Sequence, residues 1–317
     1  MAETHVGNDY EIVIQDYASG EYINLGSDGN FCNVRFDGVG SPELREAVWE
    51  LSGDDGVRFG TEYYGAINWN ITGSIHSGAN KSIAGDASVA WNTWSQLSRA
   101  WIGYPQRLIP RGVVPLYFKR PGREQMVVFG RPSRIDPITE RSDAGLIAYT
   151  AQFRQSDPRF YSAEDKEIVV GAGDTYAGGF IVNDGTAIKL PFTTTVATPA
   201  AGAIFNDGDA PTQPVIIING EVTNPIVSYI DGSGDVQWSV VLQTVIPEGH
   251  AAVIDTRQWE RSITRQIDGT SLAGAYVGDR LQDITILPGS GQIQYGATAS
   301  SPSTYVRVSY KDAWVST

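Results

Sequence analysis

The sequence predicts a mainly-β protein in two parts: a β domain carrying one α-helix over residues 1–165, then an antiparallel β-sandwich over residues 166–317. Three observations predict this. Short runs rich in Val, Ile, Thr and Tyr recur between turn clusters, and 35 glycines suit tight turns better than helix interiors. One helical stripe is legible, near residue 90. Beyond residue 166 no helical pattern interrupts the strands, and short strands at that spacing point to two packed antiparallel sheets. A length of 317 residues is comfortable for two domains, and 41% apolar content with 8 Trp and 15 Tyr fills a sizeable core. That content excludes a disordered chain.

In the first part, Tyr10–Ile14 and Tyr22–Leu25 read as strands, with Ser27-Asp28-Gly29-Asn30 as the turn before Phe31. Pro42–Trp49 reads as a short helical turn. Over Gly65–Thr72, Ile67, Trp69 and Ile71 alternate with polar partners, which implies a strand with one apolar face. The helix spans about 86–102, with Asp86 as N-cap. Its stripe is Ala87, Trp91, Trp94, Leu97 and Trp101, and Ile102-Gly103 with Pro105 ends it. Three tryptophans on one stripe suit either an aromatic ligand face or packing on a sheet. Packing is preferred, because aromatic stripes at helical spacing usually face a core. Strands return at Val113–Phe118, Gln125–Gly130 and Ala144–Phe153. The last leads into Asp157-Pro158-Arg159-Phe160-Tyr161, where the two parts divide.

In the second part, strands are expected at Glu167–Val170, Pro214–Ile218, Ile226–Ile230, Val236–Leu242, Ala251–Ile254, Ile284–Leu287 and Tyr305–Tyr310. Asn219-Gly220, Asp231-Gly232-Ser233-Gly234 and Pro288-Gly289 supply turns between them.

The net charge is -13, with the acids scattered. Such a surface repels phosphate and argues against a protein that grips nucleic acid. The single cysteine, Cys32, excludes a disulfide-stapled module. Met1–His5 lacks the basic-then-apolar pattern of a signal peptide, and no apolar run approaches a membrane span. The expected compartment of synthesis is cytosol-like.

Catalytic constellations are missing from the sequence. His5, His76 and His250 are isolated, no HExxH or Cys–His cluster occurs, and no G-x-S-x-G elbow is present. Gly171-Ala172-Gly173-Asp174-Thr175-Tyr176 follows a strand like a dinucleotide loop, but Tyr176 stands where the third glycine should, and no helix follows. Asp231-Gly232-Ser233-Gly234-Asp235 offers two carboxylates and a hydroxyl to calcium. An EF-hand loop needs glutamate at its twelfth position, where Leu242 stands, so a solvated hairpin turn is preferred. The same holds for Asp207-Gly208-Asp209. Trp238, Trp259 and Trp314 could stack on a sugar, with core packing or subunit contact the preferred reading. The expectation is no catalytic residue, no cofactor and no metal site.

Asp157-Pro158-Arg159-Phe160-Tyr161-Ser162, preceded by Tyr149-Thr150-Ala151-Gln152-Phe153, resembles the distal tail protein (Dit) family of long-tailed, siphovirus-type phages. Further segments agree in order. Asp55-Gly56-Val57 with Gly65–Ile71 resembles a strand pair of that family's first domain. Asn206-Asp207-Gly208, Pro211–Ile216, Gly220 and Asn224-Pro225-Ile226 resemble the opening of its second domain. Ile254-Asp255-Thr256, Leu287-Pro288-Gly289 and Tyr305–Val308 continue the likeness to the end. Each motif is short, and their order carries the signal.

The resemblance implies a hexameric ring at the distal end of a phage tail, assembled in the host cytoplasm. Its first domain would be an inner belt and its second a galectin-like sandwich pointing outward. Implied partners are other copies of the chain, the tail tube protein, the tail-associated hub protein, and tape measure and receptor-binding proteins. DNA would pass through without specific binding, and an acidic lumen would keep it from sticking. Two departures stand out. The Pro-Gly-x-Asn turn of the family is Pro288-Gly289-Ser290-Gly291 here, and no long insertion suggests a carbohydrate-binding extra domain. A structural, non-enzymatic ring protein is therefore the first reading. A carbohydrate-binding adsorption module is the alternative. A tail-borne cell-wall hydrolase, needing two carboxylates at catalytic separation, is the third.

Overall fold

The computed structural model describes residues 8–26, 30–37, 42–46, 48–50, 55, 57–77, 85–171, 200–301 and 303–315. The chain is mainly β and divides into two compact units, Met1–Glu164 with Ala313–Thr317, and Asp165–Asp312.

The first unit runs β1 (Ile12–Gln15), β2 (Tyr22–Asn24), β3 (Phe31–Asp37), β4 (Leu44–Arg45), β5 (Val48–Glu50), β6 (Val57–Phe59), β7 (Tyr63–Tyr64) and β8 (Asn68–His76). Helices α1 (Ala87–Ile102) and α2 (Tyr104–Arg107) follow, then β9 (Val114–Phe118), β10 (Met126–Ile138), β11 (Leu146–Gln155) and β12 (Phe160–Ser162). One antiparallel sheet, in the order β2-β1-β9-β10-β11-β8-β3, forms its body. Alternation sets the inner face: Trp69, Ile71, Tyr149, Ala151 and Phe153 are all buried. Gly73 stands opposite Tyr149, and a Cβ there would lie 2.5 Å from the tyrosine hydroxyl, so the glycine makes room for the ring.

Helix α1 begins where expected. The Asp86 carboxylate accepts hydrogen bonds from the Ser88 amide and hydroxyl, both at 2.7 Å, and these hold its pKa below the usual carboxylate value. Gly103 closes the helix in the left-handed region at φ 52°, its N–H donating to the Arg99 carbonyl. The buried line differs from the expected stripe: it is Ala90, Trp94, Leu97 and Trp101, with Ala100 beside it. Trp91 falls on the rim and is 38% exposed. The sequence stripe was centred too far toward that side because tryptophan outweighs alanine in any apolar count.

Two further expectations are corrected. Pro42–Trp49 is not helical: Leu44–Arg45 and Val48–Glu50 are strands whose pairing partners, Tyr63–Tyr64 and Val57–Phe59, lie beyond the reach of a local reading. Pro105 does not simply end a helix; it occupies the first turn of α2, where its missing N–H costs nothing. The turn expected at Ser27–Asn30 falls mostly outside the described residues.

The second unit contains β13 (Lys166–Gly171), β14 (Ala200–Asn206), β15 (Val215–Asn219), β16 (Val222–Thr223), β17 (Ile226–Asp231), β18 (Val236–Leu242) and β19 (Val245–Ile246). It continues through β20 (Ala251–Asp255), β21 (Ser262–Arg265), β22 (Tyr276–Gly278), β23 (Gly289–Gly296), β24 (Ala299–Ser300) and β25 (Tyr305–Tyr310). Two five-stranded antiparallel sheets, β13-β25-β15-β20-β21 and β14-β23-β17-β18-β22, enclose one apolar core. Strand alternation supplies that core: Ile216 and Ile218, Val306 and Val308, and Val227 and Tyr229 all point inward. The run Ile284–Leu287 is not a strand. Ile284 and Ile286 are fully buried, but Ile286 makes only an isolated bridge to Thr212, and the strand opens at Gly289 instead. Burial and pairing were conflated in the expectation.

The chain ends in β26 (Ala313–Trp314), which pairs with β12 in the first unit through Phe160↔Trp314 and Tyr161↔Ala313. Ala313 is fully buried and Trp314 packs on the first unit's core. A half-buried indole contributes roughly 1.5 kcal/mol and the ladder bonds together roughly as much again, about 3 kcal/mol in all. A chain stopped after Asp312 is therefore expected to lose about 3 kcal/mol from the first unit in urea unfolding. A loss below about 1 kcal/mol would mean the terminal strand contributes no more than an ordinary surface contact.

Candidate functional site

The residues that sequence considered for chemistry do not converge. Among the described residues no group of three His, Cys, Asp or Glu side chains is placed to hold a metal. His76 and His250 lie in different units, and His5 lies outside the described residues. Of the loop Gly171–Tyr176, only Gly171 is described, as the last residue of β13. The Asp231 carboxylate is engaged in its own turn: one oxygen accepts from the Ser233 and Asp235 amides at 2.9 and 3.0 Å, the other from the Gln237 side chain. These donors hold its pKa low, the Asp235 amide foremost, in the pattern of an Asx-type turn. Near Asp207, the Gly208 amide donates to Asn206 Oδ1 and the Asp207 amide donates to Asp312 at 3.0 Å.

The tryptophans considered as sugar platforms are engaged too. Trp238 is buried in the sandwich core, stacked on Tyr229 at 5.8 Å, and its indole N–H donates to the Thr285 carbonyl at 2.7 Å. Trp259 is half-buried with the Arg257 guanidinium 6.0 Å from its ring centre. Trp314 is the half-buried terminal ring already described.

The dividing segment holds a polar network that sequence reading passed over. Asp157 is fully buried. Its carboxylate accepts from the Arg159 amide at 3.0 Å, the Arg159 guanidinium at 3.2 Å and the Tyr161 hydroxyl at 2.9 Å. Burial, with the Asp157 charge second, pushes the Tyr161 phenol well above its ordinary pKa. Beside it, buried Gln155 accepts from the Trp69 indole at 2.9 Å and donates to the Arg159 carbonyl at 2.8 Å. Every polar group named here is satisfied, as a network fixing a core junction should be. It is a brace for the junction.

What the first unit does present is an apolar ribbon. Among the described residues, strands β4 and β7 pair only with each other, as do β5 and β6, so these four strands between residues 43 and 64 stand apart from the main sheet. The Gly65 amide closes their base by donating to the Glu43 carbonyl at 2.6 Å. Leu44, Val48, Trp49, Val57, Phe59, Tyr63 and Tyr64 are all exposed, with Trp49 at 57% and Phe59 at 66%. A two-stranded ribbon is marginal by itself in water, and contiguous exposed apolar surface marks a contact site. Trp49 on one side and Phe59, Tyr63 and Tyr64 on the other of the sequence Gly53-Asp54-Asp55-Gly56 are the sequence signal that could have found it.

No family model matches the sequence, and no curated protein matches it. Solved structures do. The Dit protein of SPP1, described as a paradigm of the hub adsorption apparatus in phages infecting Gram-positive bacteria, superposes with a TM-score of 0.54 at 15% identity. The match covers 95% of this chain and 98% of that one. A chain of the phage P2 baseplate in its calcium-activated conformation gives a TM-score of 0.53 at 11% identity, over 94% of this chain and 97% of that one. The fold of this protein is therefore that of phage Dit and baseplate proteins, in agreement with the likeness carried by its ordered motifs.

Proposed function

We propose that this protein is a non-enzymatic structural component of a phage tail tip. Copies of it form a ring, six by the family resemblance, that joins the tail tube to the hub and adsorption apparatus. The observation that carries this reading is the extent of the fold match, which runs through both units over 95% of the chain. The exposed ribbon at residues 43–64 supports it, since surface of that kind calls for a partner. Tube, hub, tape measure and receptor-binding proteins are the neighbours such a ring would have, and a net charge of -13 would let DNA pass without sticking. The second unit serves as an outward-facing platform, residues 166–312 forming its sandwich.

The test is the mass of the full chain in solution together with binding to host-wall glycans. A closed multimer of fixed size without glycan affinity is expected. A monomer that binds glycan would replace this reading with the adsorption-module alternative.

A further inference from the structure

We infer that a basic, apolar corner of the first unit, built from the end of α1, from α2 and from the turn to Gly112, is the seat for the 43–64 ribbon of a second copy of this chain. The inference deepens the ring reading and rests on it, because it names the two surfaces through which copies would join.

The corner is apolar where it is exposed. Tyr104 is 66% and Leu108 67% accessible, and Ile102 and Ile109 are exposed beside them. A groove of about 390 Å³, with Trp94, Arg99, Ile102 and Tyr104 in its wall, opens at the same place and has room for an aromatic side chain.

The corner is also positive in an acidic protein. Four arginines lie at it: Arg99 in the last turn of α1, Arg107 in α2, Arg111 in the turn to Gly112, and Arg131, which reaches that turn from β10. Among the described residues no carboxylate pairs with Arg99, Arg107, Arg111 or Arg131. Two of these donate to main-chain carbonyls instead. Arg107 reaches Ile102 at 2.7 Å and Pro132 at 2.9 Å, while Arg131 reaches Ile109 at 2.8 Å and also Gly112. Those bonds hold the corner rigid and leave its charge uncompensated, which is a preorganised surface for an acidic partner.

The ribbon has the complementary character. Its described side chains include four exposed acids (Glu43, Glu46, Asp55 and Glu62) against Arg45 and Arg58, a net charge of 2 − 4 = −2. Its exposed rings match the exposed apolar residues of the corner. A nucleic acid would answer the arginines but leave Tyr104, Leu108 and Ile109 uncovered. A ribbon on one copy and a seat on the next make a heterologous, head-to-tail contact, and such contacts close into rings when the rotation allows.

The test uses the full chain, with assembly followed by mass photometry across a concentration series and folding checked by thermal unfolding. Arg99→Glu with Arg111→Glu, and separately Glu46→Arg with Glu62→Arg, are each expected to raise the concentration for half-assembly by roughly tenfold or more. All four substitutions in one chain, or an equal mixture of the two doubly substituted chains, should restore assembly, because opposite charges again meet. Unaltered assembly of the Arg99→Glu, Arg111→Glu chain would overturn the seat and leave the ring reading standing. So would a four-fold variant no better than either reversal. A natural chain that stays monomeric throughout would overturn both.

Discussion

Trp101→Ala is expected to destabilise the first unit by about 3–5 kcal/mol, the range for deleting a large aromatic side chain from a packed core. Trp101 is fully buried, and its indole N–H lies 3.1 Å from the Arg134 carbonyl and 3.2 Å from that of Gln152. The register of β10 against β11 shifts between Pro132 and Ile135, and the bulge turns the Arg134 carbonyl toward the helix. Alanine would leave a cavity and remove the donor shared by both carbonyls. Trp101→Phe keeps a six-membered ring in the core but loses the pyrrole edge with its donor, so a smaller loss of about 1–3 kcal/mol is expected. Urea unfolding followed by tryptophan fluorescence measures both. Equal losses for the two variants would show that packing contributes little and would contradict this account.

Asp157→Ala is expected to cost about 3–5 kcal/mol, because removing one member of a buried ion pair strands the other. The Asp157 side chain is 1% exposed and that of Arg159 is 25% exposed, so water can relieve part of the stranded charge and the lower end of the range is expected. The Tyr161 hydroxyl has no such relief. Asp157→Asn keeps an acceptor for the Arg159 amide or the Tyr161 hydroxyl and should lose less. An Asp157→Ala protein with unchanged unfolding free energy would show that the junction is held by Phe160 and Tyr161 packing alone.

These residues show what was legible in the sequence. The alternation of Ile67, Trp69 and Ile71 and the Asp86 cap depend on neighbours within a few positions, and both are found in the structure. The role of Asp157 depends on residues only two and four positions on, yet its sequence signal was masked by the proline beside it, which explains a turn without any network. Pro42–Trp49 reads as helical because Leu44 and Val48 mimic helical spacing, whereas the pairing of Leu44–Arg45 and Val48–Glu50 is set by partners further along the chain. Ile284–Leu287 was misread for the opposite reason, since a buried segment need not be a paired one. Strands such as β14, β23 and β26 are short, glycine-rich or terminal, and only their partners make them strands.

The functional reading rests on the exposed surfaces of the first unit. Gross surface character follows from composition. The contrast between an acidic, aromatic ribbon and a basic corner emerges only when Arg99, Arg107, Arg111 and Arg131 gather at one end of α1.

The central claim, that this protein is built into a tail tip as a ring, is tested most directly by imaging the phage particle that carries it with the chain labelled. The label is expected at the distal end of the tail, in a ring coaxial with the tube. A label found on the head, spread along the tail, or absent from finished particles would contradict the claim.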